Sequence, residues 1–369
     1  MAMGFLKEYR SAVKKMDGIS TDASPPRYWF STGNHVLNGI IGISFDQGIP
    51  QGRIAALCGF SGAGKSYLCG NILKAAQEEG AFVLVIDTEN ALDEPYLTGI
   101  GVGVAEDQFA YASPTTIPQA VKVISTFMKG YKKEYGFSTD APKVMICVDS
   151  LDMLMTQTEY DHYIKGETAG DQGQQMKQIK AFLKAVMQDI KGTNVSAIVT
   201  KQVYKGQGMF ADPAIVTEAM KYSCSQIVMI TKLKRKDDAN NLSGIKMKCD
   251  VPKTRFCKPF QSVTIDVPYE TGMDPYSGLY DAAVSLGVVA GKGWYTIKDT
   301  DIKVNGADKL VPHYPLILEK CKAVESRFIN VDIDEEDIDP DVGTITAKAK
   351  RKLKGEAFLN FEDDENLED

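Results

Sequence analysis

Several features of membrane, secreted and zinc-binding proteins are missing from this sequence. It has no run of about 18 or more apolar residues, so we expect no transmembrane helix. Residues 1–16 lack the apolar segment and cleavage site of a secretory signal. The three histidines have no metal-ligand spacing, and the seven cysteines form no CxxC pair. We therefore expect a cytoplasmic protein with reduced thiols, and neither a zinc site nor a disulfide framework.

Net positive charge, which is typical of nucleic-acid-binding proteins, is also missing. The 369 residues carry a net charge of -7, which taken alone argues against such a partner. However, residues 331–369 contain fourteen acidic and five basic side chains, and this local charge of -9 leaves +2 for residues 1–330. Acidic blocks of this kind are usually solvated tails. The tail either serves solubility or competes with an anionic ligand for the basic surface.

Apolar segments alternate with segments of helical periodicity from residue 53 onward. This alternation predicts an α/β fold with a mainly parallel central sheet covered on both faces. We predict strands at 53–60, 81–87, 143–150, 195–202, 225–236, 244–253 and 261–269. We predict helices at 66–79, 117–135 and 174–191.

The regions outside this alternation suggest further units. Residues 1–34 combine a short amphipathic helix over 4–16 with a strand at 27–32, an arm that either packs back or docks on a neighbouring subunit. Residues 35–290 form the core, and 291–345 a small C-terminal lobe. Residues 346–369 are an acidic tail that we expect to be disordered.

The strongest motif is GFSGAGKS at residues 59–66, which fits GxxxxGK[ST] between a strand and a helix. Such a loop points backbone N–H groups at phosphate oxygens, and the following helix adds the positive end of its dipole. Lys65 would reach the β- and γ-phosphates, and Ser66 would ligate Mg²⁺. The predicted nucleotide-binding residues of this segment are Gly59, Phe60, Ser61, Gly62, Ala63, Gly64, Lys65, Ser66 and Tyr67.

Acidic residues end two of the predicted strands. Asp149 fits the position of a second carboxylate on the Mg²⁺ side, and Asp87 is the competing candidate. Glu89, two residues beyond Asp87, could reach an attacking water. Any one of them could instead be a solvated acid at a strand end. Their joint position at the carboxyl ends of parallel strands favours a binding site.

With these residues identified, residues 27–297 resemble the RecA family of DNA recombinases, most closely its phage UvsX-type branch. The matching segments are STG (31–33), GIPQGRIAALCG (48–59), the phosphate-binding loop, IDTENALDEPY (86–96), VDSL (148–151), GMDPYSGLYDAAVSLGVV (272–289) and GWY (293–295). The resemblance implies a RecA-like P-loop NTPase core, with an N-terminal polymerisation arm and a small C-terminal lobe. It also implies ATP and Mg²⁺ as cofactors.

The resemblance assigns roles to individual residues around the nucleotide. It implies that Glu89 activates water, that Asp93 and Tyr96 contact adenine, and that Gln202 senses the γ-phosphate. Together with Lys65, these make up the predicted catalytic and nucleotide-contacting set of one subunit.

Two basic residues are implied to act on a neighbouring subunit. Lys253 and Arg255 are similar to the pair of cations that the family supplies in trans to the next subunit's ATP. Such cations would stabilise charge on the reacting phosphates. Without the resemblance, a solvated basic pair at a strand end would be the simpler interpretation.

Two segments, 160–173 and 203–220, resemble the DNA-binding loops of the family, although their composition alone fits ordinary surface loops. Such loops combine cations with apolar side chains that stack on or wedge between bases. The candidate DNA contacts are Lys165, Gly166, Tyr204, Lys205, Met209, Phe210 and Lys221. Unlike the family, this chain has no glycine from 209 to 243, so we expect the later part of the second loop to be stiffer or partly helical, with DNA contacts that differ from those of the family.

These observations predict an ATP-dependent DNA recombinase. It would form a head-to-tail helical filament on single-stranded DNA and pair it with a homologous duplex in recombination, repair and recombination-dependent replication. Single-stranded DNA, double-stranded DNA and further copies of the chain are therefore expected partners. The resemblance to the phage branch alone implies two further partners, a single-strand-binding protein and a loading mediator. If the protein is encoded by a phage, its location would be the host cytoplasm. The alternatives are a RecA-fold helicase or translocase, and a nucleotide-switched DNA-binding filament without strand exchange.

Overall fold

The structure is a computed structural model that describes residues 2–16, 25–167, 173–203, 218–237 and 239–324. Its strands are β1 Trp29–Phe30, β2 Ile49–Pro50, β3 Ile54–Gly59, β4 Phe82–Asp87, β5 Phe109–Ala112, β6 Val144–Asp149, β7 Val195–Gln202, β8 Gln226–Lys236, β9 Leu242–Thr254, β10 Gln261–Pro268, β11 Val289–Lys292, β12 Trp294–Ile297 and β13 Lys303–Asn305. Its helices are α1 Ala2–Lys14, α2 His35–Ile41, α3 Lys65–Glu78, α4 Glu94–Ile100, α5 Ile117–Tyr135, α6 Gln157–Ile164, α7 Gln174–Ile190, α8 Glu218–Ser223, α9 Leu279–Ser285 and α10 Tyr314–Lys322, with a 3₁₀ helix at Ala307–His313.

Eight strands form the central sheet in the order β10-β9-β8-β3-β7-β6-β4-β5. The six strands from β8 to β5 are parallel, and β9 and β10 add antiparallel pairs at one edge. The predicted α/β fold with a mainly parallel sheet is therefore confirmed. The carboxyl ends of β3, β4, β6 and β7 lie at the same edge of the sheet, where the candidate nucleotide-binding residues meet.

The central strands are apolar over their whole length because both faces of the sheet are covered. Every residue of β3 and β6 is buried. One face packs against a core that contains α2, α3 and α9, and the other face packs against α5 and α7. Leu68 and Ile72 of α3 are fully buried, which fixes this helix and the loop before it against the sheet.

Strand β8 extends beyond its parallel neighbour. It pairs with β3 only as far as Ile230, which lies opposite Gly59, and then continues to Lys236 while pairing with β9. A turn in which the Asp237 backbone N–H donates to the carbonyl oxygen of Asn241 closes this hairpin. The hairpin therefore flanks the loop that follows β3.

Several short elements had no sequence prediction. They include α2, α4, α6, α9 and β5, each of eight residues or fewer, which is too short for a clear periodic pattern. Helix α6 has a local explanation, because Thr156 accepts from the Glu159 backbone N–H and Glu159 bonds back to the Thr156 N–H.

The predicted N-terminal arm is only partly matched. Helix α1 covers most of the predicted helix at 4–16, and the predicted strand at 27–32 is limited to β1, which pairs antiparallel with β2. Two of the apolar side chains of α1, Phe5 and Tyr9, are 69% and 58% exposed. Whether this helix docks on a neighbouring subunit stays a prediction.

Beyond the central sheet, β11, β12 and β13 form a three-stranded antiparallel sheet followed by the 3₁₀ helix and α10. These elements begin at Val289, two residues before the predicted C-terminal lobe, and the last part of that lobe and the acidic tail fall outside the described residues. No helix in the described ranges is both long and apolar enough to cross a membrane.

Candidate nucleotide-binding site

The GxxxxGK[ST] segment forms a tight loop between β3 and α3. Gly62 and Gly64 have φ angles of +70° and +100°, a backbone region that favours glycine. Gly59 is required for space, because a Cβ there would lie 2.5 Å from the carbonyl oxygen of Ile230. The Lys65 ammonium donates to the carbonyl oxygens of Gly59 and Phe60, at 3.1 and 3.0 Å. The loop and the N-terminus of α3 therefore form a positively polarised cradle suited to phosphate.

Asp149 lies beside this cradle at the end of β6. Burial raises the pKa of its carboxyl, while hydrogen bonding with the Ser66 and Thr200 side chains acts in the opposite direction. Thr200 Oγ1 donates to Asp149 Oδ1. Asp149 Oδ2 is buried and has no hydrogen-bond partner among the described residues. A divalent cation held by Ser66, Asp149 and phosphate oxygens would satisfy this oxygen, so the residues present fit Mg²⁺.

Asp87, the competing carboxylate, is occupied by its own loop. It neighbours Asp149 across β4 and β6, but its oxygens accept the backbone N–H groups of Glu89, Ala91 and Leu92. The Tyr111 hydroxyl also donates to it, at 3.1 Å. Asp87 thus shapes the segment after β4, and the geometry favours Asp149 as the residue that faces the cation.

Glu89 is positioned by the segment that follows β6. The Ser150 hydroxyl donates to Glu89 Oε1 at 2.5 Å. Thr88 and Ser150 exchange two further hydrogen bonds, since Thr88 Oγ1 accepts from the Ser150 N–H and donates to the Ser150 carbonyl oxygen. These contacts tie the ends of β4 and β6 together and place the carboxylate of Glu89 beside Asp149.

Gln202 lies next to the phosphate-binding loop, as its predicted role requires. It ends β7 directly opposite Gly59, and the following Val203 N–H donates to the Gly59 carbonyl oxygen at 3.2 Å. The Gln202 backbone N–H donates to Asp152 Oδ2 at 2.6 Å, while Lys201 pairs with the other oxygen of Asp152. The start of the second predicted DNA loop is therefore anchored beside the cradle.

The residues predicted to contact adenine lie at the start of α4. Asp93 is the N-cap of this helix and accepts from the Tyr96 N–H at 2.9 Å. Tyr96 is 37% exposed, and burial raises the pKa of its hydroxyl to about 12. Tyr67 of α3 accepts a hydrogen bond from the Met273 N–H at 3.0 Å, which draws the segment after β10 toward the same side.

Lys253 and Arg255 lie at the opposite end of the sheet. Through β8, Lys253 is level with Ala56 of β3, about 10 Å along the strand from Gly59, and Arg255 lies two residues farther from Gly59. Lys253 Nζ donates to the carbonyl oxygen of Lys221, and Arg255 Nη2 to that of Tyr222 at 3.3 Å. Burial and the charge of Arg255 lower the pKa of Lys253. The described residues provide no carboxylate partner for either cation.

Comparison with known proteins decides the family. The family model described as RecA N-terminal domain matches residues 19–274. The chain belongs to the RecA family.

Curated relatives extend this similarity over most of the chain. The RecA protein of Rickettsia africae is 27% identical over 316 residues, covering 83% of this chain and 87% of the relative. That of Acholeplasma laidlawii (strain PG-8A) is 28% identical over 327 residues, covering 86% and 92%. That of Chlorobium limicola is 27% identical over 269 residues, covering 72% of each. The resemblance to the phage UvsX-type branch stays a prediction.

The two candidate DNA-binding segments are only partly described. Residues 160–164 of the first segment belong to α6, where Tyr163 and Ile164 are 65% and 66% exposed, so the expectation of a loop over that stretch was wrong. Lys165 caps this helix, and Gly166 follows with a φ angle of +74°. Lys221, the residue directly after the second segment, lies in α8, which begins at Glu218. Tyr204, Lys205, Met209 and Phe210 lie outside the described residues.

The sequence prediction missed residues that orient this RecA-family site without facing the nucleotide. Thr200 holds Asp149, Thr88 and Ser150 hold the Glu89 segment, and Asp152 holds Gln202. Their only sequence signal is a short polar side chain at or just beyond the end of an apolar strand. Such residues usually cap or solvate strand ends, so the partner of each could be named only from the fold.

Proposed function

We propose that this RecA-family protein is a DNA-dependent ATPase and recombinase. The observation that carries the proposal is the convergence of the phosphate-binding loop, Asp149, Glu89 and Gln202 at one edge of the sheet. A Mg²⁺ ion at Ser66 and Asp149 would offset charge on the phosphates. Phosphoryl transfer asks a protein mainly for positioning and for charge stabilisation, and these residues supply both.

Glu89 acts as the base in the hydrolysis step. It accepts a proton from water as the water oxygen bonds to the γ-phosphorus, and the bond from that phosphorus to the β–γ bridging oxygen breaks. Lys65 stabilises the charge that develops on the phosphate oxygens. Ser150 keeps the carboxylate of Glu89 in place through the 2.5 Å hydrogen bond to Oε1.

Lys253 and Arg255 complete the site of a neighbouring subunit. Their distance from their own loop argues against action within one subunit, and both project from the opposite end of the sheet. A head-to-tail arrangement would bring this end against the next subunit's nucleotide, which generates an open helical filament. The filament binds single-stranded DNA and pairs it with homologous duplex, so that base pairing reads the sequence while the protein contacts mostly the backbone.

A comparison of homologous and heterologous DNA tests this function. We expect joint-molecule and D-loop formation with homologous duplex in the presence of ATP and Mg²⁺, and none with heterologous duplex. Unwinding that is independent of homology would favour a helicase or translocase instead. ATP-dependent DNA binding without either product would favour a nucleotide-switched filament. The single-strand-binding protein, the loading mediator and the cytoplasmic location stay predictions that this experiment does not address.

A further inference from the structure

Lys232 lies beside the phosphate-binding loop although no sequence motif includes it. Its Nζ is 3.5 Å from the position that a Cβ on Gly62 would occupy. Gly62 is at the turn of the loop, where backbone N–H groups face phosphate. The ammonium of Lys232 therefore lies beside the turn of the phosphate-binding loop.

The pairing of the sheet explains this position. Strand β8 runs parallel to β3 up to Ile230 opposite Gly59, where β3 turns into the loop and β8 continues. Side chains alternate along a strand, so Lys232 lies on the same face as Ile230. Ile230 packs in the core that contains α3, so this is the face on which the loop and α3 sit.

The residue paired with Lys232 also touches the loop. Met247 of β9 lies opposite Lys232, and a Cβ on Gly64 would meet the Met247 sulfur at 2.7 Å. The loop is thus packed directly on this part of the hairpin, which fixes the backbone of Lys232 relative to it.

Among the described residues, the charge of Lys232 has no acidic neighbour to neutralise it. Two other basic residues of the hairpin, Arg235 and Lys246, have an acidic partner, since both lie within 4 Å of Asp266. For Lys232, no ion pair is formed with any carboxylate in the part of the chain that the structure describes. A cation beside an anion-binding loop, with no carboxylate of its own, is suited to a phosphate oxygen.

We propose that Lys232 is a second cation, in addition to Lys65, that binds the phosphates of the nucleotide held by the same subunit. The inference rests on the proposed nucleotide site and adds a contact to it. Because Lys232 is carried by the hairpin and not by the loop, bound triphosphate would also join the edge of the sheet to α3.

Equilibrium binding of fluorescent MgATPγS without DNA tests the inference. We expect Lys232→Ala to weaken binding about tenfold, the size typical of one charge-assisted contact, and Lys232→Arg to retain most affinity. Lys234→Ala is the matched control. It is on the same strand and face, but two residues, or about 7 Å, farther from the loop, so we expect less than a twofold change.

Three results would overturn the inference. In the first, Lys232→Ala binds the nucleotide as tightly as the wild type does. In the second, Lys234→Ala weakens binding as much as Lys232→Ala does, which would indicate a general effect of charge. Lys232→Ala could also lose affinity only for single-stranded DNA, which would make Lys232 a DNA contact. The proposed nucleotide site itself would be contradicted by a different result, in which the wild-type protein does not bind MgATPγS or Lys65→Ala binds it as tightly as the wild type.

Discussion

The two ends of β3 differ in charge and in how their side chains are held. At the carboxyl end, Asp149 and Glu89 are fixed by hydrogen bonds from Thr200 and Ser150. At the amino end, Lys253 and Arg255 contact only backbone carbonyl oxygens of α8 among the described residues. The first arrangement is typical of groups that must be positioned before a reaction. In the second, the described residues provide no anion for either cation.

Arg53 adds to the positive charge at the amino end. It directly precedes β3, and burial and the charge of Arg255 lower the pKa of its guanidinium. Its Nη1 donates to the neighbouring carbonyl oxygen of Gly52 at 3.2 Å. Like-charged groups gathered in this way repel one another, so an anionic partner would be stabilised there. The comparison therefore supports a site divided between two subunits.

Loss of the base at the carboxyl end should have the largest effect. We expect Glu89→Gln to lower the kcat of ATP hydrolysis about 10³-fold, because the amide cannot accept the proton of the attacking water. Binding of ATP and of DNA should persist, since the loop is unchanged. Steady-state hydrolysis and nucleotide binding measured on the same preparation would check this. Near wild-type hydrolysis would contradict the role of Glu89.

Loss of the cations at the amino end should have the next largest effect. We expect Lys253→Ala combined with Arg255→Ala to lower DNA-stimulated ATPase about 10²-fold while MgATP still binds to the unassembled subunit. Mixing this variant with Glu89→Gln sharpens the test. In a mixed filament, a wild-type loop can meet wild-type cations at some junctions, so activity should partly return. Unchanged stimulation in the double variant would rule out action in trans.

One serine at each end allows a smaller, paired test. Ser150→Ala removes the hydroxyl that holds Glu89, and we expect kcat to fall about tenfold with little change in nucleotide affinity. Ser225, whose backbone N–H donates to the carbonyl oxygen of Ile54, is the control at the other end. Its hydroxyl is buried without a hydrogen-bond partner in the described part of the chain, so Ser225→Ala should leave kcat unchanged. Equal losses in both variants would indicate a general effect on folding.

Removal of the acidic segment 331–369 should have the smallest effect, because this segment includes none of the residues predicted to bind the nucleotide. If this segment competes with DNA for basic surface, truncation after residue 330, which removes the local charge of -9, should tighten single-stranded DNA binding several-fold and alter its salt dependence. Fluorescence anisotropy at two or more salt concentrations would measure both. A change in solubility alone would support the simpler interpretation of the tail.

The sequence predicted the elements that are long or carry strong periodicity. The predicted strands of the central sheet match β3, β4, β6, β7, β8, β9 and β10 within a few residues, because continuous apolar runs are typical of strands buried on both faces. Strand β5 at the sheet edge was missed because only Phe109 of its four residues is buried. The phosphate-binding loop was also predictable, since its spacing fixes backbone geometry directly.

What the sequence could not settle depends on contacts between distant segments. The sequence left Asp87 and Asp149 as alternative ligands for the cation, because the two residues differ only in their surroundings. Asp87 accepts hydrogen bonds from its own loop, whereas Asp149 faces Ser66. Lys232 gave no signal, because its relation to Gly62 arises from the length by which β8 exceeds β3. The contact of Asp149 with Ser66 and that of Lys232 with Gly62 both depend on the register of the sheet, which cannot be predicted from a local sequence pattern.

Action of Lys253 and Arg255 in trans would also affect the stoichiometry of hydrolysis. If these cations serve the adjacent subunit's nucleotide, a filament of n subunits contains n − 1 complete sites, and the terminal loop at one end lacks its cations. ATP turnover per subunit would then rise with filament length and would be lowest for dimers. The two termini would also differ, because ATP at one of them could not be hydrolysed efficiently. An assembly with this asymmetry would retain ATP longest at a single end, which would give its growth and disassembly a direction.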